Sequence, residues 1–228
     1  MCFSESVSFT VSALLVSAGI YCVKTALDKD RTCLPLAGLP LAFGLQQGFE
    51  GVVWWGINTR NPEAASLSAF AFLFFSHWFW LGWIPFLVLR LESNSGTRAI
   101  CKGLVVVGIG YGALLYVPLA LNPAGLSVGV IEHSIEYQAT FIGDSIPILF
   151  SRLLYALIIL IPLLIATSPH LKIFGGLITL STGASYFLYN YAFVSVWCFF
   201  AALLSLYIVY VISTMNATSE ILLEEQMS

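Results

Sequence analysis

Charged side chains are scarce in this 228-residue sequence: they make up 9% of its residues, whereas 59% are hydrophobic. A soluble domain usually carries about 25% charged residues, because they cover its surface. The shortage argues against an ordinary soluble protein of this length. No basic patch interleaved with aromatic residues is present either, so nucleic-acid binding has no support.

Paired cysteines are also missing. The five cysteines stand singly, so neither a zinc-ribbon nor a thioredoxin-like motif is found. Their odd number leaves at least one thiol free or bonded outside the chain. Cys2 and Cys198 fall on the side predicted below to be outside, where a disulfide is possible. Cys2 could instead become the mature N-terminus and bind a metal, or the two thiols could be unrelated.

Long hydrophobic runs dominate the sequence instead. Crossing the hydrocarbon core of a bilayer takes about 20 mainly apolar residues. Seven stretches qualify, at approximately 7–27, 35–57, 66–89, 99–121, 146–167, 173–190 and 193–213. We therefore predict an all-α, polytopic membrane protein: one seven-helix transmembrane domain over 1–213, with a short tail at 214–228. One kinked segment over 173–213 is the alternative, because the last two stretches nearly touch.

The positions of lysine and arginine predict the orientation, since cytoplasmic loops carry an excess of both. Seven of the nine fall on one predicted side: Lys24, Lys29, Arg31, Arg90, Arg98, Lys102 and Lys172. Only Arg60 and Arg152 lie elsewhere. The N-terminus is therefore predicted outside and the C-terminus in the cytoplasm. The first stretch has no basic start and is interpreted as an uncleaved anchor.

The longest loop, about 122–145, is predicted outside the membrane. Ile131 and Ile135 have helical spacing, with Glu132 and Glu136 on a neighbouring face, so we expect a short interfacial helix. His133 precedes Glu136 by three residues, a spacing suited to metal ligation on one helical face. A solvated polar surface is the alternative.

Glu50 is the clearest candidate site residue. It lies about seven residues, or roughly 10 Å, from the outer end of the second stretch. An ionisable group at that depth costs several kcal/mol unless it is paired or hydrated. Gln46 and Gln47 precede it by one turn and Trp54 follows by one turn, forming a stripe expected to face the bundle interior. Arg152, at similar depth in the fifth stretch, is its predicted partner.

His77 is the second candidate, near the middle of the third stretch. An intramembrane histidine can serve as a metal ligand, a proton carrier or a hydrogen-bonded core residue. Trp80 and Leu81 are expected to share its face, which indicates an aromatic-walled pocket. Further along, Gly108 and Gly112 are interpreted as a small-xxx-small helix contact.

Three hypotheses about function remain open. In the first, Glu50, Arg152 and His77 line a cavity that binds an ion, a proton or a small ligand. In the second, His77 and Glu50, with His133 or Glu136, hold a transition metal in a membrane-embedded metalloenzyme or redox protein. In the third, the protein is a structural or assembly partner of another membrane protein, and Glu50 and Arg152 only lock helices together.

Two segments resemble an uncharacterised family of small bacterial multi-pass membrane proteins. One is the opening Met1-Cys2-Phe3-Ser4, with Ser8-Phe9 after it. The other is Gln46-Gln47 followed by Glu50-Gly51-Val52-Val53-Trp54. The resemblance implies a multi-pass fold in the bacterial cytoplasmic (inner) membrane. It implies nothing about a reaction, because the family has no assigned activity.

Overall fold

A computed structural model shows a chain built almost wholly of helices, and it describes residues 4–131, 134–139, 148–188 and 193–214. The helices are α1 (Glu5–Lys29), α2 (Leu34–Ala37), α3 (Leu39–Asn58), α4 (Pro62–Phe74), α5 (Trp80–Leu91), α6 (Ser95–Leu121), α7 (Ile148–Ile165), α8 (Pro169–Leu188) and α9 (Phe193–Leu204). Among the described residues, two strands lie between α6 and α7: β1 (Leu126–Ile131) and β2 (Ser134–Ala139). The predicted tail beyond residue 214 lies outside the described residues.

Within the described part of the chain, four helical segments are long and apolar enough to cross a membrane: Glu5–Lys29, Pro62–Leu91, Ser95–Leu121 and Phe193–Thr214. The second comprises α4 and α5, which a π-helical turn at Phe75–Phe79 joins. The fourth comprises α9 and its continuation after a turn at Ser205. Leu149–Ile165 is apolar but shorter. The structure therefore confirms a helical protein suited to a bilayer, whereas the count of seven spans stays a prediction.

Side-chain caps fix where several of these helices begin. Ser4 accepts a hydrogen bond from the Val7 amide at the start of α1, and Asn61 accepts one from the Ala64 amide at the start of α4. Asn94 accepts from two amides of the first turn of α6. Such caps satisfy N–H groups that the first helical turn leaves without an intrahelical partner.

Glycines let neighbouring helices approach closely. A Cβ added to Gly108 of α6 would lie 2.0 Å from the Leu81 carbonyl oxygen of α5, and one added to Gly112 would lie 2.7 Å from Trp78. The predicted small-xxx-small contact is therefore confirmed. α1 and α3 meet in the same way, since a Cβ on Gly19 would lie 2.4 Å from the Leu41 nitrogen. Small residues allow the close packing that drives helix association in lipid.

The predicted interfacial helix in the longest loop is wrong, because the loop contains a β-hairpin. β1 pairs antiparallel with β2, from Leu126 opposite Ala139 to Ile131 opposite Ser134. The segment is rich in β-branched residues, which fit a pleated strand better than a helix. Gly129 further disfavours a helix. Glu136 lies within β2, and Glu132 and His133 lie outside the described residues.

The hairpin covers one end of the helical bundle, which we call the hairpin end. Ile135 is fully buried and packs in one cluster with Val53, Trp54 and Ala69. Tyr137 stacks on Phe72, with ring centroids 5.0 Å apart and 15° between the planes. The first and third helices also meet here, since Asn58 donates a hydrogen bond to Glu5 at 3.0 Å.

At the opposite end of the bundle, which we call the loop end, Glu92 links the connection between α5 and α6 to the connection between α7 and α8. Its carboxylate accepts from the amides of Ser93 and Asn94, both at 2.9 Å. It also accepts from the Thr167 amide at 2.7 Å and the Thr167 hydroxyl at 2.5 Å. Burial acts to raise the pKa of this carboxyl, but the hydrogen bonds outweigh it and lower the pKa from 4.5 to about 2.

The helix order places the seven basic residues of the predicted cytoplasmic loops at or near the loop end. Lys29 closes α1, Arg90 lies in the last turn of α5, and Lys172 lies in the first turn of α8. Arg98, near the start of α6, donates to the carbonyl oxygens of Leu89 and Glu92, both at 2.8 Å. One end of the bundle is thus markedly basic.

Replacing Gly108 with alanine should destabilise the contact between α5 and α6. The added Cβ meets a backbone oxygen that has no flexible end to move aside, and such overpacking costs about 1–3 kcal/mol. Gly110, on the same helix, has nothing within 4 Å of its added Cβ. Gly110→Ala should therefore leave the melting temperature in detergent unchanged or raise it, while Gly108→Ala lowers it by several degrees. Equal behaviour of the two variants would contradict the close contact.

Replacing Glu92 with glutamine should make stability less sensitive to acid. A carboxyl whose pKa is lowered by folding stabilises the protein above its unfolded pKa, and that contribution is lost as pH falls through the folded pKa. The Glu92 contribution should therefore be complete above about pH 4.5 and fade towards pH 2. Unfolding curves of the wild type and Glu92→Gln should differ at pH 6 and converge as the pH falls. A pH-independent difference would count against the lowered pKa.

Candidate functional site

The polar stripe of α3 faces the bundle interior, as its spacing predicts. Gln46, Gln47 and Glu50 are each 0% exposed, and the flanking Phe43 and Trp54 are also buried. Three buried polar side chains within five residues are unusual for a membrane helix, because each must find hydrogen-bond partners away from water. We call the group formed by Gln46, Gln47, Glu50, Trp80, Ser195 and Cys198 the Glu50 centre.

Glu50 accepts hydrogen bonds at both carboxylate oxygens. The Ser195 hydroxyl donates to Oε1 at 2.6 Å, and the Gln47 side-chain amide donates to Oε2 at 3.2 Å. Gln47 lies one turn before Glu50 on the same helix, whereas Ser195 comes from α9. Bonds to an ionised acceptor are about twice as strong as bonds between neutral groups. The carboxylate therefore joins α3 to α9.

Gln46 links the same helix to α5. The Trp80 indole nitrogen donates to Gln46 Oε1 at 2.8 Å, and the Trp80 ring stacks on Phe43 with centroids 3.9 Å apart. An indole N–H can only donate, so this bond fixes which side of the Gln46 amide is oxygen. Gln46 also lies beside the Cys198 thiol of α9, which follows Ser195 by one turn.

Several buried polar atoms in and around this centre have no hydrogen-bond partner within the described part of the chain. They are Gln46 Nε2, Gln47 Oε1, Trp54 Nε1 and Trp197 Nε1. A buried donor or acceptor left unsatisfied costs about 1–3 kcal/mol, so such groups normally meet an ordered water or a ligand. Two of these atoms belong to the Glu50 centre itself: the acceptor Gln47 Oε1 and the donor Gln46 Nε2.

Arg152 of α7 contacts α9, the helix that carries Ser195. Its guanidinium carbon lies 4.8 Å from the centroid of the Phe193 ring, an arrangement that suits a cation–π interaction. Phe193 precedes Ser195 by two residues, so Arg152 of α7 and Glu50 of α3 both contact the start of α9. The structure brings both predicted partners to one helix. Their direct ion pair stays a prediction.

His77 lies in the π-helical turn between α4 and α5. Its Nδ1 is 2.9 Å from the Ser76 hydroxyl, and the Ser76 carbonyl accepts from the Tyr155 hydroxyl at 2.5 Å. Trp80 and Leu81 are buried in the core, whereas His77 is only partly buried. The common face predicted for His77, Trp80 and Leu81 stays a prediction.

Glu136 and His133, the other predicted metal ligands, are not among the residues that form the Glu50 centre. Glu136 is half-buried in β2 and accepts from the Gln138 side chain at 2.9 Å. His133 and Cys2 lie outside the described residues, and Cys198 is a buried, free thiol. Within the described ranges, no group of three or more His, Cys, Asp or Glu side chains is arranged to hold a metal ion.

Sequence reasoning missed the contribution of α9. Ser195 lies in the apolar run from Phe193 to Leu204, where it is the only hydroxyl side chain. A single hydroxyl side chain in an otherwise apolar helix is the sequence feature that could have marked Ser195 as a buried hydrogen-bond donor. The partner it binds, 145 positions away, depends on how the helices are arranged.

Replacing Ser195 with alanine should destabilise the protein by about 1.5–3 kcal/mol, because the buried carboxylate loses one donor. Ser181 is the matched control, since its buried hydroxyl donates to a carbonyl of its own helix, Ile178, at 2.8 Å. Ser181→Ala should cost less than about 1 kcal/mol. Melting temperatures in one detergent make the comparison. Equal losses in the two variants would show that the Ser195–Glu50 bond adds nothing.

Comparison with known proteins identifies the family of this chain but assigns it no activity. A family model described as a family of unknown function, DUF6629, matches residues 1–221. No curated protein and no solved structure matches the chain at a significant level. The resemblance to an uncharacterised family is thereby confirmed, and because the match covers nearly the whole sequence, this chain belongs to the family of unknown function DUF6629.

Proposed function

We propose that this protein is a multi-pass membrane protein that binds a small ion or polar ligand at the Glu50 centre. The observation that carries the proposal is the complete burial of Glu50 among helices whose other buried residues are largely apolar. A carboxylate in such a place is costly and marks a substrate or ion site more often than a structural feature. Hydrogen bonds from Ser195 and Gln47 hold the Glu50 carboxylate in one orientation.

The unpartnered polar atoms supply a second line of support. Gln47 Oε1 adds a hydrogen-bond acceptor next to the carboxylate, and Gln46 Nε2 adds a donor one residue away. A carboxylate with an adjacent amide oxygen suits a small cation or an ammonium-type group. The position also suits binding, because Glu50 lies eight residues before Asn58, or about 12 Å from the hairpin end.

The orientation and location belong to the same proposal. The basic loop end would face the cytoplasm and the hairpin end would face outwards. Seven spans would then cross the bacterial inner membrane. They would be the four segments that are long and apolar enough, together with α3, α7 and α8. The Glu50 centre would lie in the outer half of the bundle, below the hairpin.

A structural role is the second candidate, and one observation favours it. The Ser195–Glu50 hydrogen bond joins α3 to α9 directly, so the carboxylate holds the bundle together whether or not it binds anything. In this version, Glu50 would be balanced by Arg152, and the protein would serve as a partner for another membrane protein.

Cation binding is tested by measuring the melting temperature of the purified protein in sodium, potassium, ammonium or methylammonium chloride, with choline chloride keeping the ionic strength constant. Binding to the folded state raises the melting temperature in a saturable way. We expect at least one of these cations to do so in the wild type and not in Glu50→Gln. Glu63→Gln is the control, because it removes the same charge from an exposed position. Identical responses in Glu50→Gln and the wild type would contradict the proposal.

The same variants separate binding from a purely structural pair. If Glu50 only balances Arg152, Glu50→Gln leaves a buried charge uncompensated and costs about 3–5 kcal/mol. The double variant Glu50→Gln, Arg152→Gln should then recover much of that loss. If Glu50 binds a ligand, Glu50→Gln keeps the protein folded and removes the cation response, and the second change brings no recovery.

A further inference from the structure

Three exposed basic residues lie at the loop end of α5 and α6. Arg90 is in the last turn of α5, and Arg98 and Lys102 are one turn apart near the start of α6. Glu92 is the only acidic residue between Arg90 and Lys102. It is 5% exposed, and its carboxylate already accepts four hydrogen bonds. This part of the surface therefore carries an excess of positive charge.

The backbone holds Arg98 in place within this cluster. Its guanidinium Nη1 donates to the carbonyl oxygens of Leu89 and Glu92, both at 2.8 Å. These bonds fix the Arg98 side chain against the end of α5, which also carries Arg90. A guanidinium has five N–H donors, so the three on Nε and Nη2 can still bind an anion. Because the side chain is already ordered, binding costs little further side-chain entropy.

An exposed apolar stripe continues from this cluster along α6. Val106 and Ile109 follow Lys102 by one and two turns on the same face of the helix, and they are 72% and 48% exposed. Of the segments long and apolar enough to cross a membrane in the described part of the chain, the one that forms α6 is the least buried. In a bilayer, apolar side chains exposed in this way contact lipid chains.

A matching stripe on α5 lies beside it. Gly82, Phe86 and Arg90 repeat every four residues, so they share one face of α5, and all three are at least partly exposed. A Cβ added to Gly82 would lie 3.1 Å from Ile109 Cγ1, so the two stripes meet there. We call the surface formed by both stripes the α5–α6 face: Gly82, Phe86, Arg90, Arg98, Lys102, Val106 and Ile109.

The α5–α6 face is cationic at the loop end and apolar along about 10 Å of helix from Lys102 to Ile109. An anionic phospholipid has the same pattern, because its phosphate lies at the edge of the hydrocarbon and its chains extend along the helices. Arg and Lys bind phosphate through charge-assisted hydrogen bonds. Each Lys or Arg near an anionic lipid surface adds about fivefold to the affinity. A soluble phosphate would use the cations but leave the apolar stripes without a partner.

We infer that the α5–α6 face binds an anionic phospholipid, with the phosphate at Arg90, Arg98 and Lys102 and one acyl chain along the apolar stripes. Such a lipid would bridge the ends of α5 and α6, as the bonds of Arg98 already do. Binding there needs a bilayer but not the Glu50 centre, so it goes beyond the proposed function. The experiments on Glu50 and on this face can therefore fail independently.

The chain's own C-terminal segment is the competing occupant, since it carries Glu220, Glu224 and Glu225. Its carboxylates have the charge to meet the three cations. The apolar stripes favour the lipid, however, because they lie on helices that would be inside the bilayer, where acyl chains are already present.

The test compares two lipids with the same acyl chains, dioleoylphosphatidylglycerol and dioleoylphosphatidylcholine, added to the purified full-length protein in a nonionic detergent. The phosphatidylglycerol should raise the melting temperature of the wild type by about 5–10 °C at about 100-fold excess over its Kd. The phosphatidylcholine, whose head has no net charge, should give a much smaller rise. Glycerol 3-phosphate, which has an anionic head and no chain, should give none. An equal rise with the phosphatidylcholine or with glycerol 3-phosphate, or no rise with the phosphatidylglycerol, would overturn the anionic lipid.

Lys102 provides a variant that leaves the bonds of Arg98 intact. Lys102→Gln should weaken the binding of phosphatidylglycerol about fivefold, as judged from the lipid concentration that gives half of the maximal shift. Lys24→Gln is the control, because it removes the same charge from an exposed position on α1. It should bind as the wild type does. No weakening in Lys102→Gln, or equal weakening in both variants, would overturn the α5–α6 face as the binding site.

A third variant tests the C-terminal segment by combining Glu220→Gln, Glu224→Gln and Glu225→Gln. If the lipid occupies the α5–α6 face, this variant should respond to phosphatidylglycerol as the wild type does. A response that appears only after these three changes would show that the segment covers the cations, and it would overturn the lipid.

Discussion

The Glu50 carboxylate constrains the arrangement of the helices around it. A charge removed from water must receive hydrogen bonds from the protein, and in a helical bundle those donors come from side chains on neighbouring turns and helices. Gln47 supplies one donor from the next turn, and Ser195 supplies the other from α9. Meeting this requirement sets α9 against α3 at the level of residue 50. Cys198, one turn further along α9, is then placed beside Gln46.

Close packing elsewhere makes that placement possible. Gly19 and Gly44 let α1 and α3 approach until an added Cβ would collide with the facing backbone. Gly108 does the same for α6 against α5, which carries Trp80. Because interhelical contacts in lipid depend on packing, these glycines set the position of α3 and α5 as firmly as the polar bonds do. The hydrogen bond from Trp80 of α5 to Gln46 of α3 joins the pair formed by α1 and α3 to the pair formed by α5 and α6.

Local periodicity was sufficient to predict part of this structure. The helical repeat of Gln46, Glu50 and Trp54 placed one buried face on α3, and the spacing of Gly108 and Gly112 marked a helix contact. The hairpin was missed because an eight-residue segment fits a helical spacing by chance, while its β-branched residues favour strands. The π-helical turn around His77 was not predicted, because no residue pattern in Phe75–Phe79 distinguishes it from an ordinary helical turn. The partners Ser195 and Trp80 depend on topology, which local patterns do not contain.

The fixed direction of the Gln46 amide explains why its unsatisfied donor is a property of the fold. If Gln46 could turn over, its nitrogen would face Trp80 and two donors would meet, so the indole N–H holds the oxygen inwards and directs Nε2 elsewhere. Gln47 donates its side-chain N–H to Glu50, which leaves its oxygen without a partner among the described residues. An apolar residue at either position would avoid the cost of an unmet bond. Under the proposed function, a bound ion or polar ligand would complete the hydrogen bonds of these two glutamines.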